Sequence, residues 1–282
     1  MEIIFDNISV IYKDIEKEKQ ILQNIDLKIK SEKITGIIGP SGSGKTTLIE
    51  LISGLKKATK GKIIVGETTI EPNKKILKIN ELRKKIGIVF QFPEEQIFNT
   101  TVEKEIAFSL KNFNFKTNVI DKQITKALLM VGLDDSYKSK DPYTLSSGEI
   151  RKVAIASILA YNPDVIIFDE PTVGLDNISK SYLVEIIKKL KTRYKKTIIV
   201  VTHDIEFLIK IVDDVVVLKN GKILINGTKK KVFSETKKLK DNGIPIPKVI
   251  LFKEMVFDNK NVKLPYREDI NDLIKDIYRY AK

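Results

Sequence analysis

Cysteine is absent from this chain of 282 residues, and histidine occurs once. Without cysteine there are no disulfides and no thiolate metal ligands, a composition that fits a reducing compartment. Long apolar runs are lacking too. The longest, such as 198–201 and 215–218, are of strand length, far short of the ~18 residues of a membrane-spanning helix. The opening Met1-Glu2-Ile3-Ile4-Phe5-Asp6 has no basic region followed by an apolar stretch, so no signal peptide is expected. The chain is therefore expected to be soluble, or to reach a membrane only through a partner. Acidic residues are the scarcer charge: 37 against 50 basic ones, for a net +13. A basic balance suits nucleic acid or an anionic membrane surface. Here, however, lysine is spread throughout with isoleucine and asparagine, as a biased residue supply would give, and no nucleic-acid partner is expected. An apolar content of 42% and this length allow one large domain or two modest ones with a buried core.

Periodicity divides the chain. Residues 3–12 and 21–29 alternate as strands, joined by a polar Lys/Glu-rich turn, and 34–38, 61–70 and 86–90 are further strands. A helix is expected over 46–55. From about 93 to 132 the apolar spacing changes to three and four, giving helices over 102–111 and 119–131, and a third begins at Leu145. Strand 165–168, helix 179–194 and strand 197–201 follow. A hairpin of 215–218 and 222–225 turns at Asn220-Gly221. The lysine-rich tail is read as a few short helices broken by Pro245, Pro247 and Pro265. Strands alternating with helices, plus an all-helical insert, predict a parallel α/β core with a helical subdomain.

The chemistry is concentrated in a few places. Gly39-Pro40-Ser41-Gly42-Ser43-Gly44-Lys45-Thr46 satisfies G-x-x-x-x-G-K-[ST] between an expected strand and an expected helix. Its glycines let backbone N–H groups approach phosphate oxygens, and the helix adds the positive end of its dipole. Lys45 should reach the outer phosphates and the Thr46 hydroxyl should bind Mg²⁺. The apolar run Val165-Ile166-Ile167-Phe168 ends in Asp169-Glu170. A buried strand would present Asp169 rigidly to Mg²⁺, and Glu170 would orient or deprotonate the attacking water. His203, the sole histidine, follows strand 197–201, where it would touch the γ-phosphate or the water beside it. Gln91, after strand 86–90, would sense metal or water and move the helical part. Tyr12 is either an ordinary strand aromatic or a stacking partner for a purine ring. Leu145-Ser146-Ser147-Gly148-Glu149 lies between the phosphate loop and the carboxylate strand in sequence. It opens a helix, yet can hardly serve the site of its own chain, which points to an active site shared by two subunits.

These motifs, in this order over 3–227, resemble the ATP-binding-cassette (ABC) ATPases. Gly39 to Thr46 looks like the Walker A loop, Gln91 like the Q-loop glutamine and Leu145 to Glu149 like the LSGGQ signature. Val165 to Asp169 looks like the Walker B strand, Glu170 like the catalytic glutamate, Gly174-Leu175-Asp176 like the D-loop and His203 like the switch histidine. The resemblance implies a P-loop NTPase (RecA-like) α/β core with an antiparallel β subdomain, a helical signature subdomain near 92–160, and a small C-terminal helical extension over 228–282, dimerisation being one role for it. It implies ATP and Mg²⁺ as cofactors. Nucleotide contacts are expected from Tyr12, from Gly39 through Thr46 and on to Thr47, and from Ser146, Gly148 and Asp176. Metal contacts are expected from Thr46, Gln91 and Asp169, and catalysis from Glu170, His203 and Gln91. In that family two cassettes meet head to tail, each ATP lying between one Walker A loop and the other's signature.

The segments 91–98 and 101–108, with 232–234 and 243–249 in the tail, are similar to the energy-coupling-factor transporters, and there to the second of two ATPase subunits. That likeness implies a second ATPase, a membrane scaffold, a substrate-binding membrane subunit, a peripheral place on the cytoplasmic face of the cell membrane, and import of vitamins or metal ions. A conventional transporter cassette and a soluble ABC ATPase acting on nucleic acid are the alternatives. The chain departs from the family at Ser147 for the first signature glycine, at Glu149 for its glutamine, and at Ser31 for the glycine usual before Glu32.

Overall fold

The computed structural model describes residues 1–13, 18–260, 262 and 264–280, and the fold follows from two ways of using apolar strands. The alternating segments near the N-terminus become β1 (Ile3–Lys13) and β2 (Glu18–Ile29), paired antiparallel. The polar turn expected between them lies outside the described residues. After β3 (Ile34–Ile38) and α1 (Lys45–Ile52), the chain returns to the first sheet with β4 (Lys60–Val65) and β5 (Thr68–Ile70), giving the order β2-β1-β4-β5. The stretch 61–70 is thus two strands and not one. Gly66, at φ 58, makes a left-handed turn that a straight strand cannot hold.

The second sheet is the core. Helix α2 (Ile79–Lys85) leads into β6 (Ile86–Val89). The helical insert is α3 (Val102–Asn112), α4 (Thr117–Met130) and α5 (Ser147–Leu159). Then come β7 (Val165–Asp169), α6 (Asn177–Thr192), β8 (Thr197–Val201), α7 (Ile205–Ile209), β9 (Asp214–Lys219) and β10 (Lys222–Thr228). The strand order is β10-β9-β3-β8-β7-β6. From β9 to β6 the pairing is parallel, and only β10 runs antiparallel at the edge. The β9–β10 turn at Asn220-Gly221 has φ of 50 and 72, the two positive values a tight hairpin of this kind requires.

Parallel strands covered on both faces should be largely apolar, and these are, with Thr35 on β3 and Thr197 on β8 as buried exceptions. On β7, Ile166 and Phe168 pack into one core with the helical insert, while Val165 and Ile167 pack into a second core shared with the antiparallel sheet. β8 splits the same way, Ile198 and Val200 to one side and Ile199 and Val201 to the other. Two cores thus clamp the same strands, which fixes where their C-terminal ends stop. The tail forms α8 (Lys229–Ser234), α9 (Thr236–Asp241), α10 (Lys248–Lys260) and α11 (Ile270–Tyr280), its last two helices longer than expected. α2 and α7 have no counterpart in the sequence pattern, both being too short to show an apolar period. Among the described residues no helix is long and apolar enough to cross a membrane.

Candidate active site

The C-terminal ends of β3, β6, β7 and β8 open into one crevice, where ligands bind in open parallel sheets. Each strand delivers one motif. β3 runs into the Gly39–Thr46 loop, and α1 starts at Lys45 behind Gly44, whose φ of 105 only glycine holds without strain. β6 leads to Gln91. β7 carries Asp169 at its last position and Glu170 just beyond. Val201, at the end of β8, pairs with Ile37 on one side and Asp169 on the other, so one strand separates the loop from the carboxylates.

A cleft of about 390 Å³ is walled by Tyr12, Ser41, Gly42, Gly44, Lys45, Thr46, Thr47, Gln91, Asp169 and Glu170, together with Lys19, Ile21 and Val201. Most of the expected nucleotide and metal residues thus share one space. Gly39, Pro40 and Ser43 form the base of the loop: Lys45 Nζ donates to the Gly39 and Pro40 carbonyls at 2.8 and 3.0 Å, and Gly221 N–H donates to the Ser43 carbonyl at 3.3 Å. Burial pulls the Lys45 ammonium below its usual pKa, while Glu170 and Asp169 oppose the shift. Burial likewise raises the Asp169 carboxyl, helped by the Glu170 charge and countered by Lys45. Two carboxylates in a partly buried cleft favour a cation beside them.

Glu170 has a left-handed backbone at φ 48, and its N–H donates to the Val201 carbonyl at 2.7 Å. Its Oε2 lies 2.9 Å from His203 Nδ1 and accepts from the His203 N–H at 3.2 Å. His203 does not wall the cleft; at 72% exposure it stands over the carboxylate from the solvent side. The Tyr12 hydroxyl is 3.2 Å from Thr47 Oγ1 and accepts from Lys56 Nζ at 2.6 Å, which holds the ring at the mouth of the cleft.

The other expected residues lie elsewhere. Ser146 and Gly148 line a separate groove of about 160 Å³, with Glu149, Leu175 and Ser179, and this groove shares no residue with the cleft. Ser146 is the N-cap of α5 and forms a capping box with Glu149, which is why the helix begins at Ser147 and not at Leu145. Asp176 lines neither space. It caps α6, its carboxylate accepting from the Ser179 N–H at 2.7 Å, and that bond draws its pKa down.

Three residues of consequence go unmarked by any motif. Lys19 reaches the cleft because it pairs with Tyr12 across the β1–β2 ladder; the register could have suggested it. Arg151, in α5, is 8% exposed and binds both Glu94 oxygens, through Nε at 2.9 Å and Nη2 at 3.0 Å. It also donates to the carbonyls of Gln91 and Val173, both at 3.2 Å. One guanidinium therefore ties the signature helix to the Gln91 turn and to the segment after Glu170. Nothing in the sequence sets Arg151 apart from the other charged residues, and Glu94, though inside segment 91–98, shows no sign there of its pairing with Arg151.

Among the described residues no group of three or more His, Cys, Asp or Glu could cage a metal ion. Mg²⁺ suits such a place, because it takes one or two protein oxygens and completes its shell with phosphate and water. Thr46, Gln91 and Asp169 all line the cleft and fit that donor set.

A phosphate loop, an acidic strand end and a helical insert carrying its own capped N-terminus define a P-loop ATPase of the cassette type. The profile of the ABC transporter family matches residues 22–173, and the chain belongs to that family. It is 41% identical over 251 residues to the energy-coupling factor transporter ATP-binding protein EcfA2 of Clostridium tetani, covering 88% of this chain and 86% of that one. It is 39% identical to the EcfA2 protein of Enterococcus faecalis, over 90% and 88%. Among solved structures, cbiO1 of Clostridium perfringens, described as part of the ABC transporter complex cbiONQ, superposes with a TM-score of 0.75 at 31% identity, over 89% of this chain and 98% of that one. A dimeric ATP-binding cassette in a post-hydrolysis state, bound to ADP and Pi, gives 0.69 at 30% identity, over 80% and 98%.

Proposed function

We propose that this chain is the ATP-hydrolysing subunit of an energy-coupling-factor ABC transporter, powering uptake of vitamins or other micronutrients through membrane partners. One observation carries the shared-site part of this reading: the phosphate-loop cleft and the Ser146–Gly148 groove have no residue in common. Each is half of a site, and a second ATPase subunit placed head to tail would complete both. The 41% identity to an EcfA2 protein along nearly the whole chain supports the transporter class.

In this reading ATP lies along the Gly39–Thr46 loop, whose N–H groups and helix end face its phosphates. Tyr12 packs against the base, and Thr47 closes the loop end. Lys45 leaves the loop carbonyls for the outer phosphate oxygens. Thr46, Gln91 and Asp169 would hold Mg²⁺, which would neutralise phosphate charge. Glu170 accepts the proton of the attacking water, and His203 holds the Glu170 carboxylate in place. Ser146 and Gly148 contact the γ-phosphate of the ATP held by the other subunit, and Asp176 lies in the segment lining the shared interface. The cassette spans 1–227 with its helical part near 92–160, and 228–282 is an extension suited to subunit contact. The protein sits peripherally on the cytoplasmic face of the membrane.

Gly148 supports the shared site from another direction. It lies in α5 without positive φ, and a Cβ added to it would meet nothing within 4 Å. Its own chain therefore gives no reason for glycine there, whereas a close external ligand would. Gly148→Ala should leave folding intact or slightly improved, by up to ~1 kcal/mol from helix propensity. ATP turnover of the assembled complex should fall by about tenfold, because a methyl group there displaces the phosphate from its reactive position. Paired thermal-melt and phosphate-release measurements read both, and unchanged turnover would remove Gly148 from the site.

Purification of the tagged protein from membranes should bring down a second ATPase and at least one integral membrane protein. Recovery with only nucleic acid or ribosomes would sink the transporter reading.

A further inference from the structure

Glu149, where the family's signature has glutamine, occupies the donors that the shared site needs. Its Oε2 accepts from the Ser146 hydroxyl at 2.6 Å and from the Ser146 N–H at 3.0 Å. The Glu149 N–H donates back to Ser146 Oγ at 3.4 Å. Its other oxygen, Oε1, accepts from the Tyr137 hydroxyl at 2.5 Å. These donors, the Ser146 hydroxyl first, hold the carboxyl down to about 2, so it stays ionised at any physiological pH. An ionised carboxylate only accepts, and a serine hydroxyl has one proton to give. Ser146 has therefore committed both its hydroxyl proton and its N–H to an anion of its own chain.

A phosphate oxygen arriving at Ser146 Oγ must take that proton from the carboxylate. It then rests about 5 Å from a full negative charge, a repulsion worth about tenfold in affinity at a partly desolvated interface. The helix does not need the charge, because glutamine at the same position completes an equivalent capping box. Gly148, next along, is open on its Cβ side, with no atom within 4 Å of an added Cβ.

We propose that Glu149 is an internal competitor for the γ-phosphate: it sets the affinity of the ATP that this chain's Ser146 completes, and keeps it below what glutamine would allow. The inference rests on the shared-site reading of Ser146. Glu149 acts through Ser146 and is a positioning residue for that nucleotide.

The test uses the membrane complex with wild-type, Glu149→Gln, Glu149→Ala and Gly148→Ala subunits, measuring steady-state ATP hydrolysis against ATP concentration and Tm. Glu149→Gln should lower the KM for ATP by about tenfold with Tm unchanged, since capping and the Tyr137 contact survive. Glu149→Ala should also lower KM, although losing the cap lowers Tm; this variant separates charge from fold. A KM that is unchanged or raised in both variants overturns the inference and leaves Glu149 as a helix cap. Gly148→Ala distinguishes the two levels. If its turnover falls and the Glu149 variants behave as wild type, only the inference fails. If its turnover also matches wild type, the shared-site reading beneath it fails.

Discussion

Glu170→Gln is expected to abolish ATP hydrolysis while leaving ATP binding intact. The carboxylate stands at the end of β7 in the same cleft as Lys45, Thr46 and Asp169. His203 holds it through Nδ1 at 2.9 Å and the backbone N–H at 3.2 Å. A left-handed backbone at φ 48 and the 2.7 Å bond to the Val201 carbonyl aim it into the crevice. Glutamine keeps the size and can accept the same hydrogen bonds, but it cannot take a proton from water. Loss of a positioned general base typically lowers turnover by about 10²- to 10⁴-fold. Phosphate release should therefore fall to near background, while fluorescent-nucleotide binding stays within about threefold of wild type, a change below ~1 kcal/mol. ATP should then hold the paired subunits together, visible as a larger species on size-exclusion chromatography only when ATP is present. Near-normal turnover in this variant would take Glu170 out of its assigned role.

Arg151→Met should give the largest loss of stability among single changes near the site. The guanidinium is 8% exposed and meets both oxygens of Glu94 in a forked pair. Methionine fills similar volume but leaves Glu94 with its charge in a partly buried place. Removing one partner of a buried pair costs about 3–5 kcal/mol. Glu94 is 26% exposed, so water recovers part of its solvation and the loss should be about 2–3 kcal/mol. For a chain of this size that lowers Tm by roughly 3–5 °C. Adding Glu94→Gln should restore at least half of the loss, because the orphaned charge is then gone. A Tm within about 1 °C of wild type in Arg151→Met would show that the pair contributes little. The carbonyls of Gln91 and Val173 also lose a donor, so hydrolysis in the folded fraction should fall as well.

The sequence was most informative where a motif is local. Gly39 to Thr46 needs only its own glycines and the flanking strand and helix to become a phosphate loop, and the structure places it between β3 and α1. The apolar runs of β7 and β8 could be read because a strand buried on both faces has no polar position to spare. The same logic passes over α2 and α7, which span too few turns for a period to register, and it merges β4 with β5 across Gly66. His203 and Glu170 are 33 residues apart in the chain, so their bond depended on two neighbouring parallel strands ending at the same level.

By itself, then, the sequence determined the nucleotide chemistry and the α/β class, because phosphate binding and two-sided burial each impose a residue pattern within a few positions. Only the tertiary structure decided which charged residues outside the motifs matter. Arg151 and Glu94 are 57 positions apart, and Lys19 joins the cleft solely through its pairing with Tyr12. It also decided that Ser146 spends its hydroxyl on Glu149. Hydrogen bonds and ion pairs act over about 3 Å, and which groups come that close is settled by how the two cores pack the strands and helices together.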